Sequence, residues 1–416
     1  MKKQDYFSVI DIGSTKICVV IASVDSENKI EILGVGKSVS SGIKMGVVGD
    51  IYKTKKSIKQ AIEIAEKDSG LKVNSLYVAV SGNQIRSLNL EGAITISNYG
   101  ESEIKRRHIN AVIDNAKSKA NKIVNDKNLK IIHSIPQFYN IDNEAIKIEN
   151  PLGKYGCDLT GKVHIVFAKT SNLRDIRKCL ELAGYEVREY IFAGLASGNA
   201  VLDEEQKKYG VILLDIGSGT TDICVYYDGS VLFSKTIAQG GMSITEVLAI
   251  GLNAKTKITE KLKIEKGNLQ GNRSKKEVIK IVDINGEKEQ SIELDKINGI
   301  IEFKVKEILE NVYSSIYKED YYDLIKAGIV ITGGSSRLAG LQSYTKKMFS
   351  KFANLGKPDI ESRLSGAKLG RLNDPTYSTV VGLLYYVAND VVYSGQKLGL
   401  QINFWSKIKN ILSDFI

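Results

Sequence analysis

The chain has little of what usually carries redox or metal chemistry. Four cysteines stand in 416 residues, at positions 18, 157, 179 and 224, with no Cys-x-x-Cys spacing. The three histidines, His108, His133 and His164, are scattered and form no ligand constellation. Structural zinc and dithiol redox motifs need clustered ligands, so neither is expected. Cys18 and Cys224 fall in matching apolar stretches, where core packing in a reducing compartment is the expected role. Long hydrophobic runs are also missing. The longest, 380–388, ends at Asn389-Asp390 and is far short of the ~20 residues of a membrane span. No leader pattern is visible, because Met1-Lys2-Lys3-Gln4-Asp5-Tyr6 runs straight into an apolar strand. Nor is there a recognition helix or aromatic platform for nucleic acid, so none is expected as a partner. The net charge of +10 fits an anionic lipid, an acidic peptide or merely a Lys-rich composition, and does not choose among them.

What is present is a duplicated motif. Val211-Ile212-Leu213-Leu214-Asp215 reads as a buried strand ending in an aspartate. Ile216-Gly217-Ser218-Gly219-Thr220-Thr221-Asp222 then turns into a second strand, 223–227, closed by Asp228-Gly229. Glycines at 217 and 219 permit a tight turn whose N–H groups face an anion. Ser218, Thr220 and Thr221 add hydroxyls, and Asp215 is placed to hold a magnesium ion through water. One such loop is equally an ordinary hairpin. The chain, however, begins the same way: Phe7-Ser8-Val9-Ile10-Asp11, then Ile12-Gly13-Ser14-Thr15-Lys16 and the strand 17–22. Two Asp-Ile-Gly-Ser hairpins half a chain apart predict two similar domains facing one nucleotide. This arrangement resembles the actin, Hsp70 and sugar-kinase superfamily.

The remaining pattern is α/β. Strands are expected at 29–36, 76–81, 163–167 and 185–190, with helices at 51–67 and 170–182. At 83–162 the texture changes, with a long basic helix over 101–124 and a strand near 131–141. Ser134-Ile135-Pro136-Gln137-Phe138-Tyr139, Asn150-Pro151-Leu152-Gly153 and Gly161-Lys162-Val163-His164 resemble the inserted subdomain of the FtsA family, the actin homologues of the bacterial division septum. The segment 192–200 is rich in small residues, which suits either a plain packing helix or a crossing point between domains.

Three later stretches extend the match. Gly240-Gly241 precedes a helix whose N-terminus is expected to offer free N–H donors to phosphate. Gly333-Gly334-Ser335-Ser336 follows a buried strand, 328–332, and resembles the family's adenosine motif. Asn373-Asp374-Pro375-Thr376-Tyr377-Ser378-Thr379 resembles its closing helix. Between them, 255–280 is strongly basic, and reads as a solvated face or as a docking surface for an acidic segment. Glu260 and Lys261 lie where relatives place ribose- or base-contacting side chains.

The resemblance implies an actin-like two-domain ATPase fold with an FtsA-type insertion. The expected parts are a first core subdomain (1–82 and 163–192), the insertion (83–162), a second core subdomain (193–254 and 326–390) and a small basic subdomain (255–325). A linker (391–400) and a C-terminal amphipathic helix (401–416) complete the chain. Asp11, Gly13, Ser14, Thr15, Lys16, Asp215, Gly217, Ser218, Gly219, Thr220, Thr221, Gly240, Gly241, Glu260, Lys261, Gly333, Gly334, Ser335 and Ser336 are then expected to bind ATP. Asp11 and Asp215 would hold magnesium through water, with Asp215 the candidate for any catalytic role. The implied function is a polymerising adaptor that tethers FtsZ, the tubulin-like ring protein, to the cytoplasmic membrane at the septum through FtsZ's C-terminal tail, and recruits later division proteins.

In the tail, Phe404, Trp405, Ile408, Ile411, Leu412 and Phe415 fall on one face of a helical wheel. That face suits a bilayer interface, or docking on the protein's own core. A sugar-type kinase is the competing class, but it needs a carboxylate base beside an acceptor pocket, and none is evident beyond Asp215 and Asp222. A shape-determining or segregating actin is a third.

Overall fold

A computed structural model describes residues 6–25, 29–270 and 277–394. The expected C-terminal helix, with its six apolar face residues, lies outside the described residues, as does 395–400 of the expected linker. β1 (Tyr6–Ile12), β2 (Lys16–Val24) and β3 (Ile30–Val39) form an antiparallel meander of mostly buried Val and Ile. Such continuous apolar runs suit strands covered on both faces. The short hairpin of β4 (Ile43–Lys44) and β5 (Val47–Val48) leads to α1 (Ile51–Ser69). Asp50 caps α1 by accepting from Lys53 N at 3.0 Å, and Gly70, at φ 73°, ends it. β6 (Ser75–Val80) returns parallel to β1.

The insertion follows: β7 (Arg86–Thr95), β8 (Ser102–Glu103), α2 (Arg106–Val124), β9 (Leu129–Ile141), β10 (Tyr155–Gly156) and β11 (Asp158–Lys169). β11 is central, antiparallel to both β7 and β9. α2 covers this sheet with Ile109, Val112, Ile113, Ala116 and Ala120, and their core is separate from the others. The helix starts later than the expected 101, because residues 102–103 pair with β10 instead. β11 also stays in the inserted sheet through Lys169, so the insertion does not end at 162.

α3 (Thr170–Ala183) and β12 (Glu186–Phe192) complete the first half. The second half runs through α4 (Ala193–Val201), α5 (Glu204–Tyr209), β13 (Val211–Ile216), β14 (Thr221–Tyr227) and β15 (Ser230–Ile237). Asp228 and Gly229 turn β14 into β15 with φ of 53° and 74°, the paired positive values of a tight hairpin turn. Then come α6 (Gly241–Gly251), α7 (Thr256–Lys266), β16 (Val278–Val282), β17 (Glu289–Glu293) and α8 (Leu294–Tyr317). β18 (Gly328–Thr332), α9 (Leu341–Phe349), β19 (Ala353–Leu355), β20 (Leu364–Ser365) and α10 (Ser378–Ser394) close the described chain.

The sheets repeat one topology. The first is ordered β12-β6-β1-β2-β3-β20 and the second β19-β18-β13-β14-β15, each an antiparallel meander extended by parallel strands. Three expected boundaries are corrected. β20 pairs with β3 of the first sheet, and α10 packs into that sheet's core with Phe7, Val9, Cys18 and Val20, so 326–390 is not all second-half. Residues 391–394 belong to α10 rather than to a linker. The apolar residues of 255–325 share one core with β13 and β14 rather than building their own. Among the described residues, no helix is long and apolar enough to cross a membrane.

Candidate functional site

Identical turns bring the two hairpins to their aspartates. Gly13 N donates to Lys16 O at 3.0 Å, and Gly217 N to Thr220 O at 2.9 Å. Strand register then sets two matching rows. Asp11 lies opposite Cys18, which lies opposite Lys37; Asp215 lies opposite Asp222, which lies opposite Thr236. The loops meet tip to tip, since a Cβ on Gly219 would lie 2.3 Å from Ser14 Oγ. Between the halves is a cleft of about 640 Å³. It is lined from the first hairpin by Asp11 and residues 13–16, and from the second by Asp215 and residues 217–220. Gly241, Glu260 and residues 333–335 line it further along.

Three carboxylates crowd the floor. Asp215 is raised by burial, against which the Ser197 and Thr379 hydroxyls, both donating to its Oδ2, and the Lys16 charge hold it down. Burial and the neighbouring Asp215 push Asp222 up to about 7, although Ser81 (2.7 Å) and Thr236 (2.5 Å) donate to its Oδ1. Burial pushes Asp11 up to about 6, opposed by Lys16 and reinforced by Asp215. The floor therefore carries an excess of negative charge that a cation would relieve. Cations stand on the first-half side. Lys16 Nζ lies 3.9 Å above the Tyr377 ring and donates to Thr376 O, while Lys37 Nζ donates to Tyr377 Oη at 3.2 Å.

The far end is part apolar, with Met242, Ile244, Ile264 and Leu338. Here Lys263 Nζ donates to Glu260 Oε2 and Gly241 O at 2.8 Å and to Thr245 Oγ1 at 2.9 Å. Burial lowers the Lys263 amine, and Glu260 opposes that shift.

Four expected residues do not line the cleft. Lys261 faces away, with Nζ 3.9 Å from Glu265, because Glu260, Lys263 and Ile264 occupy the inward face of α7 and Lys261 lies off it. Thr221 is buried and donates to Gln239 O, and Ser336 donates back to Gly333 O. Gly240 packs on the second loop, where a Cβ would lie 2.6 Å from Gly217 O. The N–H groups expected to be free at α6 are engaged: Gly241 N donates to Gly217 O and Met242 N to Ser218 O. The start of α6 thus holds the second loop in place.

The model of cell division protein FtsA matches residues 212–382, and that of the SHS2 domain inserted in FtsA matches 82–167. The chain is 33% identical to the cell division protein FtsA of Pseudomonas aeruginosa over 378 residues, 91% of this chain and 88% of the relative. The chain belongs to the FtsA family. Against the FtsA of Buchnera aphidicola subsp. Baizongia pistaciae it is 32% identical over 416 residues, 98% of this chain and 96% of that one. Solved structures confirm an actin-like fold. A PilM–PilN type IV pilus biogenesis complex matches with TM-score 0.66 at 14% identity, covering 92% of this chain and 98% of that one. MreB5 of Spiroplasma citri bound to ADP matches at 0.56 and 12%, covering 93% and 98%, and a MamK double helical filament at 0.52 and 14%, covering 92% and 98%.

Some cleft-lining residues are absent from the expected binding set. Ser81 reaches the cleft from the end of β6 with no local signal, whereas Thr376 and Thr379 lie in the Asp374-Pro375-Thr376-Tyr377-Ser378-Thr379 stretch that the sequence marks without assigning it a binding role. Lys263 had a local signal: its spacing of three from Glu260 on a helix.

Proposed function

We propose that this chain binds magnesium–ATP in the cleft and polymerises into a septal adaptor that tethers FtsZ to the cytoplasmic membrane. The observation that carries the nucleotide reading is the pairing of two identical turns around half-buried Asp11 and buried Asp215 and Asp222, with Lys16 beside them. Magnesium would be held by these carboxylates through its water shell, and it supplies neutralisation of phosphate charge. Lys16 and the glycine turns would receive the phosphates, and Glu260, Lys263 and the apolar walls the nucleoside. The fold relatives solved with ADP and AMPPNP, and the one solved as a filament, support nucleotide binding and polymerisation. Docking of the FtsZ tail on the basic 255–325 region, recruitment of later division proteins, and anchoring by 401–416 rest on the family resemblance and on the charge and amphipathic patterns. Any ATP turnover is expected to be slow, with Asp215 its candidate residue.

The test is equilibrium titration with fluorescent ATP, with magnesium and with chelator. Binding strengthened at least about tenfold by magnesium, with Asp215→Asn losing that gain, is the expected result. Absence of binding at millimolar nucleotide would overturn the reading.

A further inference from the structure

Beside an apolar contact, in which Val166 and Ile135 share a core with Val231 and Tyr226, the insertion meets the second half through a polar seam. Four polar side chains, drawn from all three strands of its sheet, grip one strand, β15. Gln137 Nε2 donates to Val231 O at 2.6 Å, and Asn89 Nδ2 to Leu232 O at 2.7 Å. Ser87 Oγ accepts from Ser234 N at 2.9 Å. His164, fully buried, stands 2.7 Å from Asn89 Oδ1 through Nδ1 and 2.9 Å from Ser234 Oγ through Nε2. Because the Asn89 amide nitrogen donates to Leu232 O and Tyr321 Oη, its oxygen is the acceptor. The proton of His164 is therefore on Nδ1, and the Ser234 hydroxyl donates to Nε2. A fully paired buried polar seam specifies one seating, since sliding it leaves donors and acceptors unmet.

Two residues further along β15, on the same face as Ser234, Thr236 Oγ1 donates to Asp222 Oδ1. One strand thus carries two adjacent inward hydroxyls, one fixed by the insertion and the other fixing a cleft carboxylate. We propose that β15 couples the inserted subdomain to the cleft, with His164 and Asn89 acting through Ser234 and Thr236 as positioning residues for Asp222. Seating of the insertion and placement of that carboxylate then bias each other reciprocally. The effect on ligand binding rests on the magnesium–nucleotide reading above; the mechanical link does not.

The experiment uses the full chain as wild type, Ser234→Ala, Thr236→Val and Thr236→Ser, with hydrogen exchange over 86–95 and 129–141 and magnesium–ATP titration. Without nucleotide, Thr236→Val is expected to speed exchange in those inserted strands about fivefold, and Thr236→Ser to restore it. With magnesium–ATP, wild-type exchange there slows by a similar factor, and Ser234→Ala abolishes the slowing. Ser234→Ala is also expected to weaken magnesium–ATP about fivefold while leaving affinity in chelator unchanged, a split that general destabilisation does not produce. Exchange in the insertion that ignores Thr236→Val overturns the coupling, whether or not nucleotide binds. Failure of every form, wild type included, to bind nucleotide sinks the cleft reading alone, because the ligand-free comparison still decides the coupling.

Discussion

Asp222, at about 7, and Asp11, at about 6, keep protons in the folded chain that they release on unfolding. Folded protein then binds more protons than unfolded from the ordinary 3.8 up to about 7, so these groups make stability fall as pH rises through that window. Buried His133, at about 4, and His164, at about 3, act in the opposite sense, and burial lowers His108 as well. Unfolded imidazoles stay partly protonated up to about pH 7.5, so in wild type the two sets oppose one another near neutrality. Asp222→Asn removes the larger carboxylate share, so the melting temperature of ligand-free Asp222→Asn relative to wild type is expected to rise with pH from about 6 to about 7.5. A difference between the two proteins that does not change with pH would contradict the carboxylate cluster. At this scale the sequence was legible where it repeats itself: Asp11 and Asp215 were found because each announces the other. The sequence points to Lys261 where the structure turns Lys263 inward, because in a run of lysines only the phase of α7 on its neighbours decides which side chain reaches the cleft.

Among the elements, α10 crosses α4 at the tightest glycine contact of the described residues. A Cβ on Gly382 would fall 1.6 Å from Ala196 O, so Gly382→Ala must push the helices apart. Urea unfolding is expected to show a loss of about 3 kcal/mol, toward the upper end of overpacking costs. Gly299, inside α8, meets nothing within 4 Å, and Gly299→Ala should instead gain about 1 kcal/mol from helix propensity. Equal responses from the two variants would rule out the close crossing. The small-residue pattern revealed α4 but not its partner, because α10 lies far along the chain and periodicity reports only local order. The same limit explains β20, whose two residues join a sheet begun at the opposite end of the chain. The helical pattern of 101–124 runs over the short strand β8 because its pairing partner, β10, is remote.

For the whole molecule, the division into two like halves and an insertion was visible in the two loops and the change of texture between them. How α10, the last helix among the described residues, packs into the core of the first sheet was not. The proposed membrane anchoring is tested by Trp405, the only tryptophan. Its emission is expected to shift blue and intensify with anionic vesicles, and Phe404→Glu to abolish both changes. Emission already blue and indifferent to vesicles would mean a tail docked on protein. One consequence of the duplication concerns orientation. Had both rows kept the same residues, a ligand would have met equivalent chemistry whichever way round it entered. Instead the row containing Asp11 continues to Lys37, and the row containing Asp215 continues to a second aspartate. The divergence of these positions lifts that degeneracy. A phosphate chain with its counter-ion, bound as proposed, would have one way to lie, and the cleft a direction that neither hairpin has alone.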